Sequence, residues 1–104
     1  MIDGILTLCQ LTQCNNGIAR LSMMIGAKNF AKSQEENFVS FRFMKGAANK
    51  SNHVKITLNS MDTYDIQFGY VRGLNFTVRD TFYGIYNDGL KEVFENETKL
   101  YLSL

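Results

Sequence analysis

The residues of this chain best suited to chemistry are cations set among alternating apolar positions. Arg42 lies between Phe41 and Phe43, Lys55 between Val54 and Ile56, and Arg79 directly after Val78. In an extended chain successive side chains point to opposite faces, so a cation flanked by buried neighbours points to water. Arg42, Lys55 and Arg79 thus take outward slots on three separate runs, with Thr57, Asn59, Gln67, Asn75 and Thr77 in similar slots. Lys45 and Lys50 fall in the polar stretch 45–52 that adjoins two of these runs. Lys and Arg meet phosphate oxygens by charge, while amides and hydroxyls fix position. The expected site is therefore a nucleic-acid contact made by Arg42, Lys45, Lys50, Lys55 and Arg79. A solvated sheet face gives the same pattern, and Asp65 on the same nominal face dilutes the field.

Other chemistries find less support. His53 is the single histidine, and it precedes the run 54–58 with no partner motif for a base or a metal ligand. No HExxH, CxxC, GxSxG or Walker-type loop is present. On one helix, Cys9 and Cys14 would be rotated by roughly 140° and separated by a rise of ~7.5 Å, which suits buried thiols better than a redox pair. Asp62 and Asp65 fit a turn and a wet strand face, and Glu92, Glu95 and Glu97 fit the solvent side of a helix. The sequons at Asn49, Asn75 and Asn96 fit chance. The expectation is a non-enzymatic module with no catalytic residue, no metal and no cofactor. An alternative is a protein-interaction or homo-oligomeric module acting through Phe82, Tyr83, Tyr86 and Tyr101, since aromatic clusters serve interfaces. The same aromatics can equally bridge a sheet to the last helix.

The elements that must carry these residues follow from periodicity. Asp3 can cap a helix running to about Cys14, with Ile5, Leu8, Cys9 and Leu11 inward, and Asn15, Asn16 and Gly17 supply a stop. Residues 20–25 are expected as a first strand, with Leu21, Met23 and Ile25 inward, and a second helical turn fits almost as well. From residue 38 the period is two: Val39, Phe41 and Phe43; Val54, Ile56 and Leu58; Tyr64, Ile66 and Phe68; Leu74, Phe76 and Val78. The stretch 59–62 suits a hairpin turn, and Gly69 and Gly73 mark a bulge or bend. Asn87 or Asp88 can cap a final helix to about Thr98, with Leu90, Val93 and Phe94 inward. Leu100, Leu102 and Leu104 are expected as a short terminal strand able to pair with another copy. The fold class is α+β: a mainly antiparallel sheet of about four to six strands with an N-terminal and a C-terminal helix.

Composition agrees with one domain over residues 1–104. Hydrophobic residues make up 45% and charged residues 20% of the 104, values of an ordinary globular chain. No apolar run nears the ~20 residues of a membrane helix. The segment 1–11 is apolar but holds Asp3 and no Lys or Arg, so it is expected to join the fold in a cytoplasmic protein rather than act as a secretory signal. Net charge is +1, yet residues 28–60 hold six basic residues against two acidic, a surplus of four. Residues 61–104 hold four basic against seven acidic, a deficit of three. Such asymmetry is compatible with an anionic partner for one region.

The stretches 24–30 (MIGAKNF), 52–58 (NHVKITL) and 62–65 (DTYD), with Val71-Arg72-Gly73, Gly84-Ile85-Tyr86 and the closing residues 101–104 (YLSL), together resemble small uncharacterised proteins of bacteriophages and bacterial mobile elements. The resemblance covers the chain after residue 20, and residues 1–20 depart from it most. It implies a host-cytosol setting and nucleic acid, or a host or phage protein, as partner. It assigns no catalytic residue.

Overall fold

A computed structural model describes residues 4–13 and 15–102. Two helices, α1 (Gly4–Thr12) and α2 (Gly17–Ile25), precede five strands: β1 (Lys28–Ser33), β2 (Phe38–Arg42), β3 (His53–Leu58), β4 (Tyr64–Arg72) and β5 (Asn75–Ile85). A 3₁₀ turn at Asn87–Gly89 leads into α3 (Leu90–Thr98). Each strand pairs antiparallel with its successor in the order β1-β2-β3-β4-β5. The class is α+β, as the alternation indicates.

The period of two gives the sheet one apolar face. Val39, Ile56 and Ile66 stand in register across β2, β3 and β4, as do Phe41, Val54 and Phe68. All six are at most 3% exposed. The helices cover this face with Leu8, Leu11, Leu21, Ile25, Leu90 and Phe94 in one continuous cluster. Phe94 of α3 is its centre, with ring centroids 6.5, 5.8 and 5.9 Å from Phe41, Phe43 and Phe68. On the α1 side, the Tyr64 hydroxyl donates to Gln10 Oε1 at 2.9 Å, which gives a buried polar tip its partner.

Three expectations are corrected, and one strand stands where none was expected. Residues 20–25 are helical rather than extended: Leu21 and Ile25, four apart, are buried while Met23 is 63% exposed. That is the helical period, and Asn16 starts the helix by accepting from the Ala19 amide at 3.1 Å instead of ending the one before. β1 had no apolar alternation to announce it, because this edge strand turns Phe30 alone toward the core cluster. Leu74, Phe76 and Val78 do not point inward; they are 105%, 47% and 50% exposed. Residues 100–102 form no strand: Leu100 and Leu102 are buried, and the Leu102 amide donates to Glu95 Oε2 at 2.7 Å. Asp3, Cys14, Ser103 and Leu104, and the side chain of Ile5, lie outside the described residues.

The α1–α2 corner depends on Gly17. A Cβ there would stand 2.6 Å from both the carbonyl carbon and the oxygen of Leu8, backbone atoms that cannot turn aside. Gly17→Ala is expected to force the helices apart and to lower the unfolding free energy by about 1–3 kcal/mol, read as a lower urea midpoint at unchanged slope.

Candidate functional site

The stretch 43–52 between β2 and β3 carries two of the expected cations and is tied down on every side. Phe43 at its start is buried against Phe94. The Met44 and Lys45 amides both donate to the carbonyl of Ile25 at the end of α2, at 3.1 and 3.2 Å. The Ala48 amide donates to Thr98 O at the end of α3, at 2.8 Å. Asn49 Oδ1 accepts from the Ser51 amide at 3.2 Å and from its hydroxyl at 2.6 Å. Asn52 does the most: its Nδ2 donates to Val71 O at 2.9 Å and its Oδ1 accepts from the Val71 amide at 2.7 Å. Both ends of one side-chain amide thus stand in for a ladder partner.

That bond holds a projection. The last β3–β4 pair is His53 with Gly69, but β4 runs on to Arg72 and turns through Gly73 and Leu74 into β5. The hairpin end and the loop enclose an open cavity of about 640 Å³. Arg42, Lys45, Lys50 and Arg79 line it together with Tyr70 and Asn52, and no carboxylate is among its lining residues. Four of the five expected contact residues therefore meet at one concavity. Like charges gathered at one concavity repel, and a bound anion would relieve that repulsion.

Arg79 reaches the cavity through a register shift. Phe68 pairs with Asp80 but the next residue, Gly69, pairs with Val78, so Arg79 is an extra residue on β5. Its guanidinium lies over the Tyr70 ring, 5.6 Å from the centroid. A contact of this kind is worth ~0.5–1 kcal/mol where solvent reaches it, enough to bias the side chain toward the cavity. The same shift inverts the alternation beyond it. Asn75 and Thr77 move to the Tyr70 side, and Phe76 and Val78 come to the face away from the helices, opposite Val71 and Gly69.

Lys55 stands apart. It lies on the helix-free face between Ser40 and Gln67, with its ammonium 4.4 Å from the Phe38 ring centroid. Arg42 is its diagonal neighbour and completes a cross-strand row, Lys28–Arg42–His53. Of the aromatic residues expected at an interface, Phe82 packs inward, edge-on to Phe68 at 6.2 Å. Tyr83, Tyr86 and Tyr101 are 75%, 71% and 61% exposed. Tyr70 and Asn52 were not singled out in the sequence; the glycines flanking 70–72 were the available signal.

Asp65 is internally engaged: its Oδ1 accepts from Asn59 Nδ2 at 3.0 Å and from the Gly84 amide at 3.1 Å. No group of three or more His, Cys, Asp or Glu residues placed to hold a metal occurs among the described residues. Among the same residues no helix is long and apolar enough to cross a membrane. Compared with family models, curated proteins and solved structures, the chain matches none.

His53 lies in the basic row with its Nδ1 buried and without a partner among the described residues. Burial, then the neighbouring Arg42 and Lys55 charges, hold its imidazole below the ordinary range. As pH falls the unfolded chain takes up this proton first, so the stabilisation is full above about 6.5 and is lost as pH drops through the folded value. The urea midpoint of the wild type is expected to fall between pH 7 and pH 5, and that of His53→Gln to fall less; equal declines would assign the loss to other groups.

Proposed function

We propose that this chain is a non-enzymatic nucleic-acid-binding module, acting in the cytoplasm of a host in the phage or mobile-element setting that the resemblance implies. The observation that carries the reading is the cavity lined by Arg42, Lys45, Lys50 and Arg79 with no carboxylate among its lining residues. Phosphate is the anion this arrangement suits. Two planar guanidinium forks can each give paired hydrogen bonds, and two ammonium groups add charge without demanding one geometry. Asn52 adds an amide to the same wall, with one Nδ2 hydrogen already given to Val71 O. Neither a carboxylate nor a histidine is among the lining residues, which favours binding over turnover.

Four phosphate contacts set the size of the effect. Affinity for a labelled oligonucleotide, read by fluorescence anisotropy, is expected to fall by about a hundredfold between ~50 and ~200 mM salt. Lys50→Ala and Arg79→Ala are each expected to weaken binding and to reduce the salt slope by about one. Lys91→Ala, on α3 and outside the cavity lining, serves as the control and should leave the slope unchanged. Absence of binding to any oligonucleotide at tens of micromolar would remove the proposal.

A further inference from the structure

The helix-free face of the sheet is neither featureless nor uniformly polar. Across β1, β2 and β3 it carries the row Lys28–Arg42–His53, with Lys55 diagonal to Arg42. Asp65 is the one carboxylate that the described strands place on this face, and its Oδ1 is hydrogen-bonded internally, to Asn59 and Gly84. With Lys28, Arg42 and Lys55 set against Asp65 alone, the strand residues of this face carry a positive surplus. The row runs directly into an aromatic ring. Gly69 follows His53 in register, and a Cβ on Gly69 would stand 2.5 Å from Cε2 and Cζ of Phe76. The Phe76 ring fills the place of the missing side chain and meets the His53 ring edge-on at 5.4 Å, yet remains 47% exposed. It is thus fixed from below and open to solvent. Arg42 belongs both to this row and to the wall of the cavity, so the two basic regions are one surface.

Resting on the nucleic-acid reading above, we infer that the ligand is single-stranded, its backbone running from the cavity past Arg42 onto the helix-free face, where one unpaired base stacks on Phe76. The charge of the face selects a polyanion. The exposed ring beside the charges selects one whose bases are free, because in a duplex each base face is already covered by its neighbours. The register shift at Arg79 makes both parts at once: it turns Arg79 to the cavity and brings Phe76 to this face.

The test compares three labelled probes of equal length by anisotropy at one salt concentration: a single-stranded oligonucleotide, its duplex, and a strand with the same phosphates and abasic residues. Stacking of one base is worth ~1–3 kcal/mol, so the intact strand is expected to bind about tenfold tighter than the abasic strand. Phe76→Ala should abolish that ratio while keeping the salt slope, and Phe76→Tyr should restore it. Far-ultraviolet circular dichroism and the urea midpoint establish that each variant is folded; if Phe76→Ala is not, Phe76→Leu replaces it. Equal binding of intact and abasic strands, or preference for the duplex, overturns this inference and leaves the phosphate-binding cavity standing. A dimer by light scattering that Phe76→Ala dissociates also overturns it, because the face would then belong to a second copy. Loss of binding to all three probes removes both proposals.

Discussion

Everything in this structure hangs from Phe94. Its ring meets Phe41 at the end of β2, Phe43 at the start of the basic loop, and Phe68 in β4. Fully burying a phenylalanine contributes ~1.5–3 kcal/mol, a substantial share of the margin of a small domain. Its consequence extends past stability. With α3 seated by Phe94, the carbonyl of Thr98 is in place to accept the Ala48 amide, and the loop between β2 and β3 is fixed from the α3 side. The end of α2 fixes it from the other side through Ile25. Lys45 and Lys50 therefore depart from a restrained backbone, which lowers the conformational entropy that a ligand must overcome.

The second constraint is the strict alternation of a β-strand, broken on β5 at Arg79 by one of the two register shifts of the β4–β5 ladder. Without the register shift at Arg79, Asn75 and Thr77 would share the helix-free face with Arg42 and Lys55, and Phe76 and Val78 would face inward. With it, an arginine joins three other cations around a cavity, and two apolar side chains come to an open surface beside Gly69. A shift of one position in the ladder thus changes the chemistry of both faces of the hairpin. The resulting exposure of Phe76 and Val78 is a consequence of register rather than of packing failure, since Gly69 is shaped to receive the Phe76 ring.

The sheet was largely legible in the residues because Val39, Phe41, Val54, Ile56, Ile66 and Phe68 alternate without interruption and are buried without exception. The final helix was legible because Leu90 and Phe94 lie one turn apart. The second helix was not: in a stretch as short as Arg20 to Ile25, apolar residues at 21, 23 and 25 fit a strand as well as a helix, and only burial distinguishes them. β1 escaped because an edge strand with one core contact leaves no pattern. At the candidate site, the residue types were readable but their assembly was not. Arg42, Lys45, Lys50 and Arg79 come together through loop tethers at Ile25 and Thr98 and through a bulge whose only trace was a pair of glycines. Lys55 separates from them because it lies within β3, away from the strand end that adjoins the 43–52 loop.

The order of the elements also has a bearing on how the chain comes together. Every strand pairs with its sequence neighbour, so each ladder closes over a short connection and can form early. The helical layer is assembled from distant parts, as the contact between Gln10 and Tyr64, 54 positions apart, makes plain. During synthesis from the N-terminus, α1 and α2 emerge before the surface they cover exists, and Phe94 emerges after all five strands. Until that last helix docks, the row Phe41–Val54–Phe68 lacks its central cover. A nascent chain of this architecture passes through an interval with a formed sheet and an unsealed core, in which apolar surface is open to association with other chains.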